Sequence, residues 1–588
     1  MAGETLPRPY DPRDAEEQRV VRGPHARGTP LDTEPHAHST PLPSLRFGFG
    51  LFAVAFVAYF VIGYWVTIEQ HVVVFDAMDR LTRALLVWHN DPPKLAAIGF
   101  LFPPLTTAMF MPFAVIKPLA TSLIALPLAS SMCAATAIVF LDRTLARCDI
   151  ALPLRVPLLL AFGLNPMWVF YAGNGMSEAL YSAFLAFSLY NFVSWYATTE
   201  PRYLIGAGFG VAFLIVTRYA FIIWAALLAI LIGVALVRRR ASRIEVEGSV
   251  VAFAAPVVYA LALWILFNAL IVGEPFGWLN SNASDQAVNA TGPLQQGSLA
   301  FNEVSTRLLE LNLGIFPLAL VAVPALVVTF LVQRNDMALW LASFVVLGIV
   351  IIGVHAYAAQ NEGLLTLRDS MPMYVAAFVG AVWVYRSFEA FRPVIWAVTL
   401  ALLVINFFTA WRAMDTYPFQ SMEQAFVHSI SEGQSQEGRK SRGGFTVGIE
   451  PEAQMAQYIK DHVSGKNAIL TDNAQTFGVI LLTGRPNEFF DRIDKGDSAW
   501  NDALTRPAGV VKFLLLNRNR ASGDLITTRY PNADRGTENG LTPVFRTERY
   551  LLLRVAGRGA TGGTATTGQD GTSTTPQGTS GADGVSSP

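Results

Sequence analysis

Asp76, Asp79, Arg80, Arg83, His89 and Asp91 crowd into one short stretch, FDAMDRLTRALLVWHND. Charges beside a bilayer are costly and tend to be kept for a use. A carboxylate there can take a proton from a reacting group, and an arginine can hold an anion with a planar fork of donors. Asn174, the pair Ser177 and Glu178, Arg218 and Arg368 each stand beside an apolar run further along the chain. Every one of them also has a plainer reading. Asp76 can pair with Arg80 at i, i+4 or face solvent, Ser177 and Glu178 suit a helix N-cap and a first-turn acid, and a lone arginine commonly marks a membrane boundary. Asp79 and Asp91 read as structural charges, with Asp79 retained as a substrate contact.

At helical spacing Asp76, Asp79, Arg80 and Arg83 share one face, while Ala77, Leu81, Ala84, Leu85 and Trp88 share the other. That pattern predicts a helix lying along the membrane surface with its apolar side down. Pro92 and Pro93 end it, and the next apolar stretch restarts at Leu95 only to meet Pro103 and Pro104. The segment reads as short juxtamembrane helices.

Of the 588 residues 52% are hydrophobic and 15% charged, and the mean hydropathy is +0.38. This is the composition of an α-helical polytopic membrane protein. A net charge of -1 argues against nucleic acid as a partner. Two cysteines, Cys133 and Cys148, support neither a disulfide framework nor a zinc site. Arginine far outnumbers lysine, and with so much Ala, Gly and Val the usage resembles that of GC-rich bacterial genomes.

Keeping the arginine-rich loops cytoplasmic fixes the threading. The spans are then Phe47 to Val66, Leu119 to Leu141, Val156 to Gly173, Glu178 to Ala197, Tyr203 to Thr217, Tyr219 to Val237, Val250 to Val272, Leu313 to Val332, Met337 to Ala356, Met371 to Tyr385 and Pro393 to Trp411. That makes roughly eleven, N-terminus in and C-terminus out, with Ile98 to Ile116 re-entrant or interfacial. The expected organisation is a disordered cytoplasmic tail (1–44), the membrane domain (45–411), a linker (412–449), a small extracytoplasmic α/β domain (450–557) and a disordered tail (558–588). On the outer side fall the juxtamembrane segment, the turn from Asn174 to Glu178, Arg218, and the loops Gly273 to Asn312 and Asn361 to Ser370. The first of these loops, with Trp278, Asn280, Asn282 and Asp285, is long enough to close over a site. Its Asn-x-Ser/Thr triplets at Asn282 and Asn289 matter only in a secretory eukaryotic setting.

Several of these stretches resemble the membrane glycosyltransferases of the GT-C superfamily, which use polyprenyl-phosphate sugars. Asp76 sits on a juxtamembrane helix in the first outer loop. FPPL (Phe102 to Leu105) stands where protein mannosyltransferases often carry His-Pro-Pro-Leu, and LRDSMP (Leu367 to Pro372) is similar to their Arg-then-Pro entry into a late span. LNPMWVFYAGNGMSEAL (Leu164 to Leu180) resembles the Asn-Pro and Ser-Glu element of the PIG-V type mannosyltransferases. Phe102 in place of the His, and Ala77 where many members have a second acid, are departures that leave the sugar open.

The resemblance implies an inverting transfer of a sugar, mannose or similar, from a polyprenyl-phosphate carrier to a glycan, lipid or protein acceptor outside the plasma membrane. Asp76 would be the general base on the acceptor hydroxyl, and the bilayer edge is expected to raise its pKa. Arg368 and Arg218 would hold the leaving phosphate, and Glu178, Asn174 and Asp79 would contact substrate. No metal or other cofactor need be invoked if arginines serve the phosphate. The competing classes are a transporter or flippase of a lipid-linked envelope precursor, and a non-catalytic envelope scaffold. A transporter should carry internal repeats or broken helices at mid-membrane, and no clear repeat is present.

Overall fold

The computed structural model describes residues 43–99, 103–271, 315–359, 366–417, 421–440, 446–519 and 523–556, with a few more between 273 and 311. The two predicted tails lie outside the described residues apart from 43 and 44, as do Phe102, Asn280, Asn282, Asp285 and Asn289.

The first long helix, α1 (Leu45–Tyr64), is apolar almost all round and opens on Ser44, whose side chain accepts from Phe47 N at 3.2 Å. It continues through a π-helical turn, Trp65–Glu69. α2 (Phe75–His89) follows, then short helical turns at Leu95–Ile98, Leu105–Ala108, Met111–Ala114 and Lys117–Thr121. The long α3 (Ala125–Arg147) leads to α4 (Leu152–Gly163) and α5 (Pro166–Gly173), bent by 72° at their junction. Asn165 causes the break locally: its Oδ1 caps α5 by accepting from Met167 N and Trp168 N, and Pro166 takes the first helical position, where no amide is missed. Tyr59 of α1 pins the bend, donating to Gly163 O at 3.1 Å and accepting from Trp168 Nε1 at 3.0 Å.

Next come α6 (Ser177–Thr198), α7 (Pro201–Ile215), α8 (Phe221–Arg238), α9 (Arg243–Ile271), α10 (Pro317–Gln333), α11 (Asp336–Ala359), α12 (Met371–Ser387) and α13 (Arg392–Thr416). α6 and α12 are buried along nearly their whole length and form the centre of the bundle, whereas α9 is mostly exposed, as a lipid-facing helix is. Among the described residues five helices are long and apolar enough to cross a membrane, six if the bent α4–α5 pair is one span. The described residues of the eleven predicted stretches are mostly helical, with breaks at 122–124 and at 164–165, where the single span predicted over Val156 to Gly173 divides into α4 and α5. Several of the helices are shorter or more polar than an isolated span. Of these, α6 and α12 are covered by protein, whereas α7, α10 and α11 leave apolar side chains such as Phe209, Val328 and Val346 exposed. Small residues permit the closest approach: a Cβ built on Gly173 would lie 2.5 Å from Gly63 Cα, so α1 and α5 meet backbone to backbone.

The stretch predicted as a linker holds a further helix, α14 (Ser421–Glu432). After α15 (Glu450–His462) come β1 (Ile469–Thr471), α16 (Asn473–Thr483), β2 (Phe489–Phe490), α17 (Arg492–Thr505), β3 (Phe513–Asn517), α18 (Leu525–Arg529), β4 (Leu541–Arg546) and β5 (Tyr550–Val555). The sheet order is β2-β1-β3-β5-β4, parallel over the first three strands and antiparallel over the rest. Strand periodicity sends Leu515 and Leu552 to the face covered by α15 and α16, and Leu514, Leu516, Leu551 and Leu553 to the face holding Trp500 and Ile526.

The first of those cores also contains Leu86, Val87 and Ala97. The apolar face of α2 was expected to lie on the bilayer; instead it is wedged between the helical bundle and the α/β sheet. Thr82 Oγ1 donates to Phe477 O at 3.2 Å, and the rings of Phe75 and Phe477 meet edge to face at 6.3 Å. Among its apolar residues Trp88 remains exposed.

Candidate active site

Asp76 sits in the first turn of α2, its side chain 53% exposed. The i, i+4 pair with Arg80 is not its contact. Arg80 Nη1 turns to Met176 Sδ at 3.9 Å, and Asp76 Oδ2 instead accepts from Arg368 Nη1 at 3.1 Å. Arg368 is held by a 3-10 turn, Leu367–Ser370, which a capping box between Thr366 and Asp369 opens and Met371-Pro372 converts into α12. Leu367 is buried in this turn, which turns its neighbour Arg368 outward.

Asp369 extends the contact, accepting from Arg218 Nη1 at 2.9 Å, and Arg218 Nη2 lies 3.5 Å from Glu178 Oε1. Candidates from α2, the turn before α12, the α7–α8 turn and α6 thus form one alternating chain of charges. The α7–α8 turn is placed by the Pro-Pro segment, since Leu105 N donates to Val216 O at 3.1 Å. From the long loop, Trp278 packs on Tyr219, centroids 4.8 Å apart. Tyr181, which the sequence reading passed over, braces both arginines: its hydroxyl donates to Arg368 O at 3.1 Å, and Arg218 lies 5.1 Å over its ring.

Glu178 is fully buried, yet neither carboxylate oxygen accepts a hydrogen bond. Leaving a buried acceptor unpaired costs about 1–3 kcal/mol. Asn174 Oδ1 accepts from Met176 N at 3.0 Å, while its Nδ2 is buried without a partner. Gly175 makes this turn possible with φ +80°, and a Cβ there would lie 2.9 Å from Leu126 Cβ. Asp79 hydrogen-bonds Arg83 at 2.8 Å on its own helix and joins none of the other candidates.

Burial raises the Asp76 pKa, but the positive charges of Arg368, Arg80 and Arg218 outweigh it, and the carboxyl lies below its ordinary 3.8. The expected upward shift is therefore reversed. The bilayer edge alone would raise it, but the arginine partner comes from a remote turn. A second carboxyl was not anticipated: buried Glu423 of α14 accepts from the Tyr171 hydroxyl, and burial pushes its pKa up. Met422, Ala425 and Phe426 are buried around it, so an acid inside the apolar face of an amphipathic helix was the available signal. Among the described residues no group of three or more His, Cys, Asp or Glu is placed to hold a metal ion.

No protein-family model matches the chain, and no curated protein matches it. Among solved structures it is similar to ArnT from Cupriavidus metallidurans bound to undecaprenyl phosphate, with a TM-score of 0.54 at 11% identity over 87% of this chain and 98% of that one. The chain shares the ArnT fold. The apo state of the same protein gives a TM-score of 0.54 at 12% identity with the same coverage. Archaeal oligosaccharyltransferase AglB from Archaeoglobus fulgidus, in complex with an inhibitory peptide and a dolichol-phosphate, gives 0.44 at 10% identity over 80% of this chain and 69% of that one. Within this fold the Asp76 to Glu178 chain of charges runs from the first turn of α2 to the first turn of α6.

Arginine-rich turns gather away from this cluster. Arg386 Nη1 donates to Arg147 O at 2.9 Å, Arg238 pairs with Asp336 at 2.9 Å, and Arg239 lies 4.2 Å over the Tyr196 ring.

Proposed function

We propose that this chain is an inverting glycosyltransferase that moves a sugar, mannose or similar, from a polyprenyl-phosphate carrier to an acceptor on the outer face of a bacterial plasma membrane. The observation that carries the reading is the 3.1 Å contact between Asp76 and Arg368, which joins a carboxylate able to take a proton to a cation able to hold a phosphate. The fold shared with ArnT, a protein solved with undecaprenyl phosphate, supports the choice of donor.

In the proposed reaction the acceptor hydroxyl gives its proton to Asp76 as its oxygen attacks the anomeric carbon. The bond between that carbon and the phosphate oxygen breaks on the opposite face, and the electron pair leaves with the lipid phosphate. Arg368, with Arg218 behind it, stabilises the charge that develops there through forked, charge-assisted hydrogen bonds. One displacement inverts the anomeric centre. Glu178 and Asn174 contact substrate, whereas Asp79, paired with Arg83, serves the helix that carries Asp76.

Orientation follows the charges: the arginine-rich turns are cytoplasmic, and Asp76, Arg368 and the α/β unit are outside. A flippase would concentrate its polar groups at mid-membrane, and the clustering of Asp76, Arg80, Arg368 and Asp369 at helix ends favours transfer chemistry. The deciding experiment supplies polyprenyl-phosphate sugar and candidate acceptors to the full chain in nanodiscs. Release of polyprenyl phosphate with formation of a glycoside of inverted configuration supports the reading. Movement of the intact lipid-linked sugar between leaflets with no transfer replaces it with the flippase.

A further inference from the structure

The first turns of α6 bring together polar atoms that make no hydrogen bond within the protein, although Arg218 Nη2 lies 3.5 Å from Glu178 Oε1. Both oxygens of Glu178 and the Ser182 hydroxyl are buried without hydrogen bonds, one helical turn apart and so on one face. Across the preceding turn, Asn174 Nδ2 is a buried donor in the same condition. A native structure rarely leaves such groups unpaired unless a ligand or water completes them. The set offers a two-oxygen acceptor, a hydroxyl that can accept or donate, and an amide donor.

Resting on the glycosyltransferase reading, we infer that Glu178, Ser182 and Asn174 form the subsite for the transferred sugar and that this sugar is neutral, presenting adjacent hydroxyls. Each sugar hydroxyl both donates and accepts, so neighbouring hydroxyls can donate to the two Glu178 oxygens while accepting from Asn174 Nδ2 and Ser182. A carboxylate or phosphate on the sugar would place negative charge against Glu178. An apolar group would leave the buried atoms unpaired. Charge gives no call for a cation either, since Arg80, Arg218 and Arg368 already stand against Asp76, Glu178 and Asp369. Arg218 bridges Asp369 and Glu178, which sets the subsite beside the Asp76–Arg368 pair.

Binding of two probes to the full chain in nanodiscs tests this: polyprenyl phosphate and polyprenyl-phosphate hexose. Glu178→Gln should weaken the hexose-bearing lipid by about ten- to a hundredfold, the range of a charged hydrogen bond, and should not weaken bare polyprenyl phosphate, since it only removes a carboxylate beside Arg218. Ser182→Ala, a smaller change that keeps the charges, should weaken the same probe by several-fold. Hexose donors lacking one hydroxyl should lose affinity for the wild type, and one of them should lose none further in Glu178→Gln. Equal weakening of both lipids by Glu178→Gln, or wild-type affinity for the hexose lipid in both variants, would overturn the subsite. Tighter binding of an amino-sugar or uronic-acid donor than of the hexose donor would overturn the neutral class. Failure of Arg368→Ala to weaken bare polyprenyl phosphate is a different result, because it removes the underlying reading instead.

Discussion

Arg368 donates to the Asp76 carboxylate at 3.1 Å although 292 residues separate them in the chain. The contact joins the turn before α12 to the first turn of α2, and it brings opposite charges together at a half-open position. Each of the two candidate groups is therefore occupied by the other.

Asp76→Asn keeps size and hydrogen bonding but cannot accept a proton. Sugar transfer should fall by roughly a hundredfold or more while donor binding persists. Asp76→Glu should retain partial activity. Near wild-type transfer by the Asn variant, at matched protein levels, would remove Asp76 as the base.

Arg368→Ala should weaken donor binding or turnover by about ten- to a hundredfold, with Lys restoring only part because the fork of donors is lost. The pH profile supplies a separate reading. In the wild type Asp76 is held below 3.8, so it stays ionised and puts no acid limb on the activity above about pH 4. Removing Arg368 leaves burial less opposed, and the Asp76 pKa rises. The residual activity of the Ala variant should then fall at a higher pH than in wild type, while the Lys variant keeps the limb low. A profile identical in all three would detach Arg368 from Asp76.

Gly173→Ala would place a methyl 2.5 Å from Gly63 Cα, where only backbone movement can relieve it. The expected cost is about 1–3 kcal/mol, read as a lower thermal transition in detergent. Because Asn174 follows at once, transfer should drop as well. An unchanged melting curve would show that α1 and α5 separate freely.

A reporter fused after the last strand, beyond Val555, should be active only when exported, since the arginine-rich turns hold the other side. A cytoplasmic signal would invert the threading and with it the side on which Asp76 and Arg368 face substrate.

Hydropathy made the helices legible: the described residues of the eleven apolar stretches are mostly helical, although it did not show the break at Asn165, and the described part of the Pro-rich stretch after α2 forms short turns as read. What it hid was partnership. A local rule offers Asp76 only Arg80, because i, i+4 neighbours are visible in a sequence and a turn at Leu367–Ser370 is not. Amphipathicity likewise showed that α2 has an apolar face without saying what covers it, and protein covers it where lipid was expected. Tyr181 and Glu423 escaped for a related reason. A tyrosine or acid inside an apolar helix face becomes informative only once Arg368 or Tyr171 is beside it.

The sharing of Leu86, Val87 and Ala97 with the core of the α/β unit has a practical meaning for anyone dividing this chain. Its apparent seam, the polar stretch before Glu450, is not where cooperativity ends. Cutting there strips the sheet of part of its own interior and uncovers the face of the helix that bears Asp76. The severed halves should be insoluble or inactive separately, and co-expression should rescue them only if they reassociate around α2. The helical bundle and the α/β unit should therefore denature in a single transition.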